Sequence, residues 1–336
     1  MRRITYRQKL YLKKTLKILG ILLAVVVIGV VVFLQCVERY VVYTADGAVI
    51  DYSRSAQDLQ VVPQTPTAAT TPPQVEISYE AARPADVDTL VKGVWVSSNR
   101  LDDVEALSAQ LLSLDSEQSI LLELKDTSGN FYYDTAIEDA PKADIDTEAV
   151  SQMIAQLRSN GYNLIALVPA FCDYSFALSN QLCALSTEDG VLWADADNCY
   201  WLDPADETVT DYLRQIANEL SGMGFTEVVF EDFEFPSSSE IDYDADQSPA
   251  QVITQAAGTL TGHFAGSKLT VSFATADTDF PTEDLGGRLY IENVDTAQLE
   301  QYIVGYSNLD AQTQLVFLTN SKDPRFDNYS TLAALS

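Results

Sequence analysis

Two patterns of apolar positions divide the chain. Ile18 to Val37 is a nearly continuous apolar run, broken only by Gln35 and Cys36. At about 1.5 Å per residue it spans roughly 30 Å, so one transmembrane helix is expected over 18–37. From Val91 onward, short apolar runs alternate instead with stretches of helical period. The pattern predicts strands at 91–97, 119–125, 162–171, 227–231, 269–274, 288–293 and 314–319. Helices are predicted at 102–114, 147–159, 207–223, 250–264 and 296–303. Strands alternating with helices imply a parallel sheet, and about 250 residues suit a single (β/α)8 barrel of the TIM type. An open doubly wound sheet is the alternative. It loses support because no Gly-x-Gly-x-x-Gly follows the first strand. Nothing in 320–336 reads clearly as an eighth strand, so the barrel is expected to be incomplete there or closed in an unusual way.

Between these regions, 38–52 reads as a small hairpin, with Tyr40 to Tyr43, an Asp46-Gly47 turn, then Val49 and Ile50. Residues 53–85 read as a linker, extended and stiff through its Pro/Thr-rich centre from Val62 to Pro73. The barrel domain then occupies 86–336.

Charge orients this arrangement. The tail 1–17 holds Arg2, Arg3, Arg7, Lys9, Lys13, Lys14 and Lys17 and no acidic residue, which keeps the N-terminus cytoplasmic and sends the C-terminal domain across the membrane. A cleaved signal peptide is the rival. The run is long for one, and Phe-Leu-Gln-Cys-Val-Glu-Arg offers no small-x-small cleavage site. Beyond the tail stand the other 13 of 20 basic residues and all 49 acidic ones, a balance of −36. Such a surface excludes nucleic acid as a partner, because phosphate contacts need Lys and Arg. The lipid bilayer is a partner through 18–37 alone.

Cysteine and histidine narrow the chemistry further. Cys172, Cys183 and Cys199 allow at most one disulfide within the domain and leave one thiol over. A single histidine, His263, argues against a histidine-based zinc site. Asp242-Tyr243-Asp244-Ala245-Asp246 begins like a calcium loop, but Gln247 and Ile253 stand where an EF-hand needs Gly and Glu. No metal and no cofactor is therefore expected.

Several segments carry a resemblance. Gly224-Phe225-Thr226-Glu227-Val228-Val229-Phe230-Glu231-Asp232-Phe233-Glu234-Phe235-Pro236 resembles the signature Gly-Phe-Asp-Glu-Ile-Gln-Phe-Asp-Tyr-Ile-Arg-Phe-Pro of bacterial surface proteins grouped as glycoside hydrolases. In the same order, Lys92-Gly93-Val94-Trp95-Val96 is similar to that family's first strand. Glu123-Leu124-Lys125-Asp126 with Gly129 and Tyr133 follows its Asp-x-Lys-Asp segment. Phe171-Cys172-Asp173, Gly190, Trp193 and Trp201-Leu202-Asp203-Pro204 follow its Phe-Lys-Asp and Trp-x-x-Pro segments. The resemblance covers 91–236 and fades afterwards. It implies a TIM barrel and action on glycans. The chain departs from the pattern at Glu231 for Asp, Glu234 for Arg, Leu167 for Arg, Cys172 for Lys and Ser272 for Asp.

Glycoside hydrolysis needs two carboxyl groups across a sugar, and a barrel presents them at the C-terminal ends of its strands. Strand-end candidates are Glu123, Asp126, Asp173, Glu231, Asp232, Glu234, Asp277, Asp279, Glu292 and Asp295. Glu231, Glu123 and Asp126 are the expected catalytic group. Glu231 leads, because an apolar strand running into Glu-Asp-x-Glu is costly unless those carboxylates face a cleft. The plainer reading is that they end the strand in water. Trp95, Asp173, Trp193, Trp201, Asp232 and Glu234 are expected to hold sugar. The aromatic rings of Trp193 and Trp201 serve equally to pin a long loop to the barrel. Two functions remain. One is a membrane-anchored extracytoplasmic glycoside hydrolase acting on a polysaccharide or cell-wall glycan. The other is a barrel without catalysis that binds carbohydrate or builds the envelope.

Overall fold

The computed structural model of the chain describes residues 41–44, 47–50, 87–243, 247–283, 285–320 and 322–335. The expected transmembrane segment 18–37, the basic tail and the linker 53–85 lie outside the described residues. Among the described residues no helix is long and apolar enough to cross a membrane. The chain divides into two units, Met1–Ile77 and Ser78–Ser336.

In the first unit, β1 (Val41–Thr44) pairs antiparallel with β2 (Gly47–Ile50). Gly47 was expected in the turn. It opens the second strand instead, because the register pairs it with Thr44.

The second unit is a closed barrel of eight parallel strands. They are β3 (Lys92–Val96), β4 (Ser119–Glu123), β5 (Asn163–Pro169), β6 (Glu227–Glu231), β7 (Thr270–Thr275), β8 (Leu289–Ile291), β9 (Leu315–Thr319) and β10 (Ser330–Ala334), in that order around the ring, with β10 returning to β3. The barrel is complete, which corrects the expectation of a missing eighth strand. β10 reads poorly as a strand because Ala333 and Ala334 have low strand propensity. Its place is set by partners on both sides: Leu332 pairs with Gly93 of β3 and with Leu318 of β9. On its other side Gly93 permits the close approach of β4, since a Cβ there would stand 1.8 Å from the Ser119 carbonyl oxygen.

The helices are α1 (Val104–Leu111), α2 (Thr147–Ser159), α3 (Tyr174–Ser179), α4 (Glu207–Met223), α5 (Pro249–Phe264) and α6 (Leu299–Gly305). Asp146 and Asp206 cap α2 and α4, each accepting a backbone N–H of the first turn. Ser248 and Gln251 form a capping box on α5. α4 stops at Gly224, whose φ of 103° is left-handed and delivers the chain into β6.

Strand alternation sorts the core into two layers. Ile120, Leu122, Leu164, Val168, Val228 and Phe230 pack outward under the helices. Leu121, Ile165, Leu167, Val229, Ala274, Tyr290, Val316 and Leu332 fill the barrel interior, with Trp95 packed against them. Below that layer, at the N-terminal end of the strands, a buried ion pair plugs the barrel. Arg288 Nη1 lies 2.8 Å from Glu227 Oε2, and the Ser272 hydroxyl donates to Glu227 Oε1 at 2.5 Å. The Arg288 backbone N–H donates to Ser272 Oγ in turn.

Candidate active site at the barrel mouth

The same alternation that turns Leu121, Val229 and Tyr290 inward turns Glu123, Glu231 and Glu292 inward two residues later, at the C-terminal mouth. Residues immediately after two of these carboxylates take left-handed backbone: Asp232 has φ 49° and Asn293 has φ 50°. Asp and Asn tolerate that region better than other side chains, and it turns the chain sharply away from the mouth.

The three glutamates differ in how they are held. Glu123 accepts the Ser98 backbone N–H at 2.9 Å and the Ser98 hydroxyl at 3.3 Å. Burial raises its pKa, and these two donors oppose the rise by favouring the ionised form. Burial pushes Glu292 up to about 7, aided by the charges of Asp232, Glu234 and Glu123. Glu231 is raised well above the ordinary carboxylate range by burial, then by Asp232, Glu292 and Glu123, with Lys125 opposing. Asp232 is pushed up to about 6, first by burial and then by Glu234.

Other expected site residues are placed differently. Asp126 is occupied by its own loop, accepting from the Asn130 backbone at 2.9 Å, the Asn130 side chain at 3.0 Å and the Tyr132 hydroxyl at 3.2 Å. Asp173 is 0% exposed and leaves no surface for a ligand. It pairs with Lys125 Nζ at 2.8 Å, accepts the Tyr212 hydroxyl at 2.9 Å and caps α3 through the Phe176 N–H at 2.9 Å. This carboxylate compensates a buried lysine beneath the mouth, and the capping bond explains a short helix that has little apolar periodicity of its own.

Trp193 and Trp201 are buried within the 180–203 loop. Trp201 Nε1 donates to Asp195 Oδ2 at 2.8 Å, so its ring fixes the loop. With Asp232 and the Cys172–Cys199 disulfide it lines a small cleft of about 190 Å³ beside the mouth. Cys183 is the remaining, buried thiol. Trp95 is half-buried and donates Nε1 to the Thr319 carbonyl at 3.3 Å, forming part of the mouth's floor. Glu234 is exposed on the rim.

Glu292, Ser98 and Tyr132 are the site residues that sequence reasoning left out of its chosen set. Glu292 stood among the strand-end acids, and its inward parity with Tyr290 is the signal that distinguishes it. Ser98 and Tyr132 carry no comparable signal. A cleft of about 660 Å³ lies apart from these carboxylates, against α3 and the start of α4. It contains none of the three mouth glutamates.

No curated protein matches the sequence. An α-galactosidase from Geobacillus stearothermophilus, solved with raffinose, superposes with a TM-score of 0.51 at 12% identity, covering 76% of this chain and 40% of that one. An α-galactosidase from Lactobacillus brevis gives 0.50 at 10% identity, covering 73% of this chain and 38% of that one. A hypothetical protein from Ruminiclostridium thermocellum gives 0.46 at 18% identity, covering 54% of this chain and 97% of that one. This chain spans about two fifths of each galactosidase, and at these identities the likeness is one of fold. The family model described as "Putative glycosyl hydrolase domain" matches residues 93–272, more than half of the 336 residues. That stretch runs from the first barrel strand into the fifth and contains Glu123 and Glu231, and the chain belongs to this glycosyl hydrolase domain family.

Proposed function

We propose that the protein is a membrane-anchored glycoside hydrolase whose barrel lies outside the cytoplasm and acts on a polysaccharide or cell-wall glycan. The observation that carries the catalytic part is the convergence of Glu123, Glu231 and Glu292 at one barrel mouth, with different surroundings: two Ser98 donors on Glu123, and burial among other carboxylates for Glu231 and Glu292. Pairs of carboxyls with separated pKa values are what acid and base roles require. Glu231, raised well above the ordinary carboxylate range mainly by burial, is the general acid. Glu123, whose ionised form the Ser98 N–H and hydroxyl favour against the effect of burial, is the carboxylate partner. Glu292 raises Glu231 by its charge.

In the reaction, Glu231 gives its proton to the glycosidic oxygen as the C1–O bond breaks. Glu123 either attacks C1 directly or takes a proton from the water that does, so one water is consumed and each fragment ends in a hydroxyl. Family membership and the galactosidase-like fold support a glycan substrate. Anchoring is supported by the apolar run 18–37 and its basic flank. The Cys172–Cys199 disulfide supports an oxidising compartment.

The test is Glu231→Gln, which removes the proton donor at nearly constant volume. On a glycan the parent cleaves, turnover should fall by about 10²–10⁴-fold with the fold intact by circular dichroism. Unchanged turnover would remove Glu231 from the mechanism. The departures Glu231 for Asp and Glu234 for Arg favour a second reading, a barrel that binds glycan without cleaving it. A parent that binds oligosaccharides and cleaves none of them would establish that reading.

A further inference from the structure

Trp193 and Trp201 are buried, and the ring left in the open beside the mouth is a tyrosine. Tyr174, the first residue of α3, is 41% exposed. Its ring stacks on Tyr200, with centroids 5.0 Å apart and planes 15° from parallel. Tyr174 borders the cleft of about 190 Å³ that Trp201, Asp232 and the Cys172–Cys199 disulfide also line. Asp232 follows Glu231 directly, and its carbonyl accepts the Phe171 N–H at 3.4 Å. The cleft therefore adjoins the β5–β6 side of the mouth through the backbone that carries Glu231.

Both tyrosines are held by ties of their own. The Tyr174 N–H donates to the Thr127 carbonyl at 2.9 Å, and the Asp173 N–H donates to the Tyr200 carbonyl at 3.1 Å. Cys172, two residues before Tyr174, is bonded to Cys199, the neighbour of Tyr200. Asp195 gathers the turn before Tyr200, accepting the Asp197 and Cys199 N–H groups at 2.9 Å each. An exposed ring fixed in this way loses little further freedom when a ligand is laid on it.

A sugar ring has apolar C–H faces and hydroxyl edges, so it can stack on an aromatic face while its edges keep hydrogen bonds. Asp232 and Asn198 line the same cleft and offer polar groups to those edges. Among the described residues lining it there is no Lys or Arg, so an anionic sugar would meet no countercharge. The cleft is smaller than the roughly 300–1,000 Å³ of a drug-sized ligand site, which suits a single sugar ring. We propose that Tyr174, backed by Tyr200, is a stacking platform for one uncharged sugar unit, in a subsite adjoining the mouth glutamates. This rests on the glycan-active reading of the same mouth and adds a residue that grips the glycan beside the point of cleavage.

The test uses the full chain in detergent, as Glu231→Gln to prevent turnover. Di- to hexasaccharides of glucose, galactose and N-acetylglucosamine are titrated calorimetrically, and the tightest is carried forward. Adding Tyr174→Ala should weaken its binding about tenfold, whereas Tyr174→Trp, which keeps an aromatic face, should hold it within about threefold. Nitration of Tyr174 by tetranitromethane, followed by peptide mass spectrometry, reads the same contact without a substitution at that position. A saturating oligomer should protect Tyr174 and leave exposed tyrosines elsewhere reactive. Unchanged affinity in Tyr174→Ala, an equal loss in a folded Tyr174→Trp, or undiminished nitration would overturn the proposal. Hydrolysis by the parent is followed on the same oligomers. Binding without cleavage would sink the hydrolase reading alone. Cleavage with Tyr174→Ala binding like its parent would sink this proposal alone, and a parent that binds none of the oligomers would overturn both.

Discussion

Glu292→Gln should make the barrel more stable at pH 8 and leave it nearly unchanged at pH 5. Burial and three neighbouring carboxylates hold Glu292 at about 7, against an ordinary 4.5. A folded-state pKa raised in this way means the folded chain binds more protons than the unfolded one between those values. The associated stability is present below 4.5 and is lost as pH rises through 7. Moving one ionisation that far corresponds to about 3 kcal/mol. Part of this is shared with Asp232, Glu234 and Glu123, so relief at pH 8 should be about 1–3 kcal/mol. Glutamine resembles the protonated acid and should recover it. Urea unfolding of both proteins at several pH values, with a common m-value, reads the difference. A gap of the same size at pH 5 and pH 8, or a variant less stable at pH 8, would refute the assignment of Glu292 as a carboxylate ionised against its surroundings. The same substitution removes a charge acting on Glu231, so the basic limb of any activity profile should move to lower pH.

Arg288→Met should cost about 3–5 kcal/mol in urea unfolding, because it leaves Glu227 charged and unpaired in the barrel base. A cost under about 1 kcal/mol would show that this pair is dispensable. Replacing Cys172 and Cys199 together by Ala opens a loop of 27 residues and should cost about 3 kcal/mol, read by the same method under oxidising conditions. An equal cost in the parent on adding reductant would identify the disulfide as the cause, and no cost in either would dismiss it. Protease added to intact cells or spheroplasts should cut the Pro/Thr-rich stretch from Val62 to Pro73 and release the barrel, followed by immunoblotting. Full protection of the barrel would reverse the orientation.

Seven of the eight barrel strands were legible because they are buried apolar runs bounded by helices of clear period. Val228-Val229-Phe230 before Glu231 is the plainest instance. β10 was not, since Thr331-Leu332-Ala333-Ala334 has no preference of its own and is a strand because two others flank it. The mouth was half legible. Period-two alternation carries Glu123, Glu231 and Glu292 inward from apolar interior positions. Asp173 and the loop tryptophans mark the limit of spacing, which reveals that a residue follows a strand but not what meets it there. Asp173 follows β5 by four residues and meets Lys125 across the sheet, a contact that no local pattern encodes. The short α3 was missed because a single capping carboxylate organises it.

The seam between β3 and β10 imposes an order of assembly. Val91 donates its backbone N–H to Ser330 Oγ across 239 positions of sequence. A chain emerging from its N-terminal end therefore has the opening stave of the ring long before the closing one, and until then β3 and β9 are bare edges. Bare edges recruit other strands, including those of neighbouring chains. Chains cut short before Ser330 should behave as sticky open sheets, and a helper that covers an unpaired edge would be most useful in the interval before the last strand arrives.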